Sequence, residues 1–118
     1  MIKGVFILGI SSDIGKSLAK FYRDAGYVVV GTYRNEAAVA DLKGESEVHL
    51  FRLDLQTDDG IPDLVSFLNE IDFAWNLFIA SSGTMEPIAR FDQLDAEEWA
   101  NSIYVNAIAP AKILHNLL

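Results

Sequence analysis

The stretch KGVFILGISSDIGKSLAKFYRDAGYVVVGTYR, residues 3–34, holds in order an apolar run, a loop with two glycines, an amphipathic run and a second apolar run. Residues 5–8 are aromatic and branched, which is typical of a strand buried on both faces. From Ile14 onward, apolar residues recur at helical spacing, and Gly26 stands where a glycine often ends a helix. The valines at 28–30 predict the next buried strand. A strand, glycine turn, helix and parallel strand within about 30 residues form a dinucleotide-binding unit.

The loop between the first strand and the first helix is suited to hold a pyrophosphate. The first N–H groups of a helix lack intrahelical acceptors, and the helix dipole adds partial positive charge there. Gly9 permits the sharp turn out of the strand, and Gly15 lets the helix start pack closely against it. Ser11 and Ser12 add hydroxyl donors at the lip of the loop. An ordinary strand-to-helix turn is the plainer alternative, but the position between a buried strand and an amphipathic helix favours a phosphate loop.

Composition narrows the class of protein. The 118 residues form one domain, 1–118, that buries roughly two-thirds of its unfolded surface. No apolar run approaches the length of a membrane span, and the N-terminus has no signal-peptide pattern. The net charge of −8 argues against nucleic acid and anionic membranes as partners. The chain has no cysteine, which excludes disulfides and fits the cytoplasm, where we expect the protein to act.

Strands and helices continue to alternate after the first unit. The pattern predicts an α/β fold of the Rossmann-like doubly wound type, incomplete, with about four parallel strands flanked by helices. Asn35 is expected to cap a short helix, Asp95 resembles a helix cap, and Pro110 is expected to bend the last helix or end it early. The remaining elements are expected as a short helix at 35–42, a strand at 48–53, a helix opened by Gly60 and Pro62, a strand at 75–80, a loop at 81–94 and a helix from 95 to 118.

The last eight residues are apolar and helical in pattern, with no stop signal after them. A doubly wound dinucleotide fold has two halves, and four strands supply the first half and the start of the second. We therefore expect this sequence to be the N-terminal part of a longer chain. A short protein whose last helix is covered by a partner is the alternative.

The glycine spacing indicates a family. Gly9-x-x-x-Asp13-x-Gly15 resembles the Gly-x-x-x-Gly-x-Gly loop of the short-chain dehydrogenase/reductase family, with Asp13 at the middle glycine. The resemblance implies that Ile14 joins Gly9, Ser11, Ser12 and Gly15 around a cofactor pyrophosphate. A carboxylate pointing inward would repel that group, so Asp13 is expected to face solvent.

Further positions in the family's register imply the rest of a cofactor site. Tyr33 stands where members that prefer NAD usually carry an acid, and Arg34 follows it, so the resemblance implies NADP, with NAD as the alternative. Asp54 matches the family residue that accepts a hydrogen bond from adenine, and Leu55 follows it. An Asp that caps a strand-end turn is the plainer interpretation. Ala80 and Gly83 lie in the place of the family's Asn-Asn-Ala-Gly, near the ribose on the nicotinamide side.

The catalytic residues are represented by Asn106 alone. It matches the family asparagine that opens a helix locally and helps to hold a water in a proton relay. The family's Tyr-x-x-x-Lys pair, in which the lysine lowers the pKa of the tyrosine, lies downstream of this position. None of the four tyrosines here is followed by lysine four positions later: Tyr22, Tyr27, Tyr33 and Tyr104.

The resemblance implies an oxidoreductase that transfers hydride between NADP(H) and a small-molecule carbonyl or alcohol substrate. It also implies a homo-oligomer through the 95–118 helix, whose leucines at 114, 117 and 118 form an apolar stripe. The alternatives are a non-catalytic nucleotide-sensing or protein-interaction domain, a sugar-nucleotide epimerase or dehydratase of the extended branch and a flavodoxin-like signalling domain. His49 and His115 are isolated from other ligands, so no metal site is expected.

Overall fold

A computed structural model describes residues 3–83 and 90–118 of the chain. Four parallel strands form one sheet in the order β3-β2-β1-β4, so the first strand is an inner strand with β2 and β3 on one side and β4 on the other. The predicted parallel sheet is confirmed. The strands are β1 at Gly4–Leu8, β2 at Val28–Tyr33, β3 at Val48–Arg52 and β4 at Leu77–Ala80.

Helices cover both faces of the sheet. They are α1 at Asp13–Asp24, α2 at Ile61–Glu70, α3 at Ala96–Ile103 and α4 at Ala109–Leu117, with a π-helical segment at Tyr104–Ile108 between the last two and 3-10 turns at Glu36–Val39 and Phe91–Gln93. Within the two described ranges, no helix is long and apolar enough to cross a bilayer.

Alternate residues of β1 supply two separate cores, as expected for a strand buried on both faces. Phe6 and Leu8 pack with α2 and α4, and the Phe6 ring stacks on Phe78 with centroids 5.3 Å apart. Val5 and Ile7 pack on the other face with α1 and the 3-10 turn that follows β2. This arrangement is the doubly wound Rossmann-like architecture that the alternating pattern predicts.

Three predicted elements are shorter in the structure, one of them by a single residue, since the strand expected at 48–53 ends at Arg52. The helix expected at 35–42 is only a 3-10 turn at Glu36–Val39, because so few residues cannot repay the cost of helix nucleation. Its predicted cap is confirmed, since Asn35 accepts a hydrogen bond from the amide of Ala37 at 3.1 Å. The fourth strand begins at Leu77 instead of 75. The loop expected at 81–94 contains the turn at Phe91–Gln93, and its part at 84–89 lies outside the described residues.

Pro110 shapes the end of the chain as the sequence predicts. The α-helix that begins after the Asp95 cap ends at Ile103, and the backbone widens into the π segment before α4 starts. Pro110 is the second residue of α4, directly after the π segment, and its missing N–H cannot donate to the helical turn before it.

The junction of β1 and α1 depends on a close backbone approach. Gly9 has a φ of +86°, and a Cβ at this position would lie 2.6 Å from the amide nitrogen of Ser82. A Cβ on Gly15 would lie 2.4 Å from the carbonyl oxygen of Gly9. Both contacts are with backbone atoms, which have little freedom to move aside.

Replacing Gly15 by alanine is expected to destabilise the fold although alanine favours helices. Overpacking against fixed backbone costs about 1–3 kcal/mol, and the clash at 2.4 Å lies at the upper end of that range. The gain in helix propensity of about 1 kcal/mol offsets only part of it. Urea denaturation of Gly15→Ala and of Ser17→Ala, an exposed site two residues along the same helix, measures the difference. Equal stability of the two variants would contradict the close-approach interpretation.

The loop before α2 is held to the last two helical segments by one carboxylate. Asp58 accepts hydrogen bonds from the Tyr104 hydroxyl and, at 2.8 Å, from the Lys112 ammonium. These two hydrogen bonds, Lys112 first, hold the pKa of the Asp58 carboxyl below its ordinary value.

Because of Asp58, the stability of the fold is expected to depend on pH in the acid range. A carboxyl whose pKa is lower in the folded state contributes fully above its unfolded pKa of about 3.9 and loses that contribution as the pH falls through the folded value. We expect Asp58→Asn to lower the urea midpoint at pH 7 and to have a smaller effect at pH 2–3. Asp59→Asn, at the exposed neighbour, is the control. A loss of stability in Asp58→Asn that is the same at pH 7 and at pH 2–3 would argue against stabilisation by the ionised Asp58 carboxylate.

Candidate functional site

A cavity of about 1140 Å³ opens at the carboxyl ends of the strands. Its walls come from the β1–α1 turn and from the residues that follow β2, β3 and β4, with one side contributed by α3 and the π segment. The point between β1 and β4, where the order of strands reverses, is where ligands bind in open α/β sheets. In the part of the chain that the structure describes, no three His, Cys, Asp or Glu side chains cluster as metal ligands would. The lining residues are Gly9, Ser11, Ser12, Thr32, Tyr33, Arg34, Leu53, Asp54, Leu55, Gln56, Ser81, Ser82, Gly83, Glu98, Asn101 and Val105.

The β1–α1 turn presents its backbone to this cavity. Ser12 caps α1: its hydroxyl accepts a hydrogen bond from the amide of Gly15 at 2.9 Å and donates to the carbonyl of Gly9 at 3.1 Å. The hydroxyl predicted as a free donor at the lip is therefore committed to the turn itself, because the third amide of the helix needs an acceptor. Asp13 is exposed, as expected, and both Ser11 and Ser12 line the cavity.

Two residues predicted at the pyrophosphate do not line the cavity. The Ile14 side chain is 68% exposed on the outer surface of α1. Gly15 is buried against the Gly9 carbonyl, so its contribution is to the turn geometry. The amides of Asp13 and Ile14, first in the helix, have no acceptor among residues 3–83 and 90–118. They are the groups that a phosphate at this end would meet.

Thr32 is a site residue that the sequence analysis missed. Its hydroxyl accepts a hydrogen bond from the amide of Gly9 at 3.1 Å, and its carbonyl accepts one from the amide of Ile10 at 2.9 Å. The side chain is only 3% exposed. A polar residue that interrupts the valine-rich second strand was the signal in the sequence, since buried hydroxyls are usually hydrogen-bonded.

The ends of β2 and β3 place three predicted residues on the cavity wall: Arg34, Asp54 and Leu55. One Asp54 oxygen accepts a hydrogen bond from the amide of Gln56 at 2.9 Å. The strand-end turn that was weighed as the plainer interpretation is therefore present, and the side chain still lines the cavity. Gln56 also lines it and was not predicted.

The residues after β4 hold the turn and leave one polar atom without a partner. The Ser81 hydroxyl donates to the carbonyls of Leu8 and Gly9, at 3.1 and 3.0 Å. The Ser82 hydroxyl oxygen is buried and has no hydrogen-bond partner in the described structure. Gly83 lines the cavity, whereas Ala80, the last residue of β4, does not.

Asn106 lies in the π segment, in agreement with the predicted local opening of the helix. Its amide nitrogen donates to the Ser102 hydroxyl at 3.3 Å, and its side-chain oxygen lies 2.9 Å from where a Cβ on Gly83 would stand. Asn106 does not line the cavity, although its neighbour Val105 does. Glu98 and Asn101 of α3 line it as well and were missed, because their helical pattern resembles that of any solvated helix face.

The family model described as enoyl-(acyl carrier protein) reductase matches residues 9–118, nearly the whole chain. The chain belongs to the short-chain dehydrogenase/reductase family. The match begins at Gly9, the turn glycine of the cavity, and includes every lining residue.

Relatives of the family agree with this assignment. Short-chain dehydrogenase reductase 3c of Arabidopsis thaliana is 28% identical over 95% of this chain and 45% of its own length. The fold matches that of 4-hydroxyisoleucine dehydrogenase complexed with NADH, with a TM-score of 0.87 and 22% identity over 98% of this chain and 47% of that one. A short-chain dehydrogenase/reductase from Burkholderia multivorans with bound NADP gives a TM-score of 0.83 and 19% identity over 99% of this chain and 53% of that one. The chain thus spans about half the length of these relatives.

The hydrogen bond between Thr32 and Gly9 is expected to support the turn of this dehydrogenase/reductase chain. Thr32→Val keeps the shape but leaves the Gly9 amide without its acceptor, which costs about 1–3 kcal/mol of folding free energy. Thr32→Ser retains the hydroxyl and loses only a methyl group, so it is the matched control. Urea denaturation measures both, and a valine variant as stable as the serine variant would contradict this role.

Proposed function

We propose that this chain is the cofactor-binding portion of an oxidoreductase that transfers hydride between NADP(H) and a carbonyl or alcohol carbon of a small molecule. The observation that carries the proposal is the cavity at the strand switch point, which is lined by Arg34 and by the β1–α1 turn that leads into the open helix amides. A dinucleotide with phosphates at two places is the class of ligand that fits both features.

The residues present fit such a cofactor in three respects. The amides at the start of α1 supply donors for a pyrophosphate, and exposed Asp13 leaves that end open. Asp54 and Leu55 offer an acceptor and an apolar surface at the ends of the outer strands, where we assign the adenine. The unpartnered hydroxyl of Ser82 lies beside the Gly9 turn and would gain an acceptor from a bound ligand.

The preference for NADP rests on the end of β2. Tyr33 replaces the acid that would bind ribose hydroxyls, and Arg34 offers a planar cation that suits a phosphate. The solved relatives described above carry NADH in one case and NADP in the other, which supports a nicotinamide cofactor of either kind. NAD is therefore the alternative that the experiment must test.

A bound nicotinamide would supply the hydride chemistry, and this chain's own residues would position its carrier. We assign Gly83 to the nicotinamide side, where its lack of a side chain leaves room beside Asn106. Asn106, in the widened helix, is proposed to hold a water for a proton relay that the family's tyrosine and lysine complete downstream. Ile14, Gly15 and Ala80 do not line the cavity, and their contacts with the cofactor stay predictions.

A homo-oligomer through the 95–118 helix, in the cytoplasm, is also part of the proposal. Ile103 and Ile108 are 50% and 43% exposed on this helix and favour such a contact. The leucine stripe contributes less than expected, because Leu117 packs against the chain's own core.

Titration of the full-length protein with NADPH and NADH tests the cofactor assignment. We expect tighter NADPH binding, and Arg34→Ala should weaken it roughly 10- to 150-fold, which corresponds to a charged hydrogen bond of about 1.5–3 kcal/mol. NADH affinity should change little, because NADH has no 2′-phosphate.

Lys20→Gln, which changes the net charge equally but lies on α1, is the control for that titration. Tighter binding of NADH by the wild-type protein, or full NADPH affinity in Arg34→Ala, would remove the NADP assignment. Binding without turnover of any carbonyl substrate would favour the nucleotide-sensing alternative.

A further inference from the structure

Most of the basic side chains, but not all of them, are paired with carboxylates. The chain has nine lysines and arginines against seventeen acids. Six of the nine form ion pairs with carboxylates, and Lys3 lies over the Tyr27 ring, 5.6 Å from its centroid. In residues 3–83 and 90–118, only Arg34 and Arg52 have neither a carboxylate partner nor a ring. The six paired cations are Lys16, Lys20, Arg23, Lys43, Arg90 and Lys112.

These two arginines lie together at one edge of the sheet. Arg52 is the last residue of β3 and is paired in register with Tyr33, the last residue of β2. Its Nε donates a hydrogen bond to the carbonyl oxygen of Arg34 at 3.2 Å. Two like charges therefore end at adjacent strand termini in a molecule with an excess of acids, an arrangement that an added anion would stabilise.

The nearest acid in sequence is occupied elsewhere. Glu36, two residues after Arg34, forms an ion pair with Lys43 at 2.6 Å. Lys43 lowers the pKa of Glu36 chiefly through this hydrogen bond, and the charge of Arg52 contributes last and at longer range. Lys43 thus engages Glu36, whereas Asp54, two residues after Arg52, accepts a hydrogen bond from the amide of Gln56. Neither arginine forms an ion pair with a carboxylate in residues 3–83 and 90–118, so both guanidinium groups stay available to a ligand.

The hydrogen bond of Arg52 also determines which of its nitrogen atoms remain available to bind a ligand. Nε is committed to the Arg34 carbonyl, so the two terminal nitrogens keep their donors, and no group in the described residues accepts from them. Arg52 does not line the cavity itself but lies directly before Leu53 and Asp54, which do. Its place is at the outer rim, beside Arg34.

We propose that Arg52 is a second specificity-determining residue, which completes with Arg34 a two-guanidinium site for the 2′-phosphate on the adenosine ribose. This inference rests on the proposed function, since it needs a dinucleotide in the cavity. Arg34 approaches from the cavity wall, and Arg52 binds from the rim while it fixes the backbone of Arg34. A phosphate dianion between two planar cations accepts charge-assisted hydrogen bonds from each.

The test measures affinities of the full-length protein for NADPH, NADH, 2′,5′-ADP and 5′-ADP. Arg52→Gln keeps an N–H donor for the Arg34 carbonyl but removes the charge. We expect it to weaken NADPH and 2′,5′-ADP about tenfold and to leave NADH and 5′-ADP unchanged. Arg52→Lys, which keeps the charge without the fork, should fall between wild type and glutamine. Lys20→Gln again matches the change in net charge.

Equal losses for NADPH and NADH in Arg52→Gln would overturn the inference and indicate a purely structural hydrogen bond to Arg34. Unchanged NADPH affinity in Arg52→Gln, with a loss in Arg34→Ala, would overturn the inference while the proposed function stands. A wild-type protein that binds neither dinucleotide would overturn both. Loss of the 2′-phosphate preference in both single variants would support the two-arginine site.

Discussion

The contact between the Gly15 position and the Gly9 carbonyl determines how the first helix meets the sheet. No side chain fits between these backbone segments, so α1 begins directly over the end of the central strand. The Ser12 hydroxyl closes this short turn from within, and the Thr32 and Ser81 hydroxyls hold it from β2 and from the residues after β4. A turn held in this way keeps the leading amides of the helix aimed at one place, which is the condition for preorganised anion binding.

The polar atoms around the cavity are divided between structure and ligand binding. The Ser12 hydroxyl, which the sequence offers as a ligand donor, and the Ser81 hydroxyl are both used by the turn, whereas Ser82 keeps a buried hydroxyl without a partner in the described residues. The same division holds for charge, because most cations neutralise nearby carboxylates and the arginines at the outer strand ends do not. In a molecule of net charge −8, attraction for phosphate is therefore local rather than general.

Much of the fold could be predicted because it depends on local patterns. Apolar runs, the turn glycines and the Asn35 and Asp95 caps act through neighbouring residues, and the structure places them as expected. The cavity wall was predicted where a residue ends a strand, as with Arg34 and Asp54. The contributions of Thr32 and of Glu98 could not be found this way, since each depends on which distant element packs beside it. The same limit explains Ile14, which the family resemblance implied at the pyrophosphate but whose side chain is exposed on the first helix.

The π segment changes the direction in which the side chains of the last helix point. One additional residue in a helix rotates everything after it by about 100°. Ile103 and Ile108 are exposed, whereas Ile113 is buried. In a single continuous α-helix, the directions of these three side chains relative to one another would be different. The apolar stripes before and after residues 104–108 therefore belong to separate surfaces, and a partner that covers one of them need not touch the other.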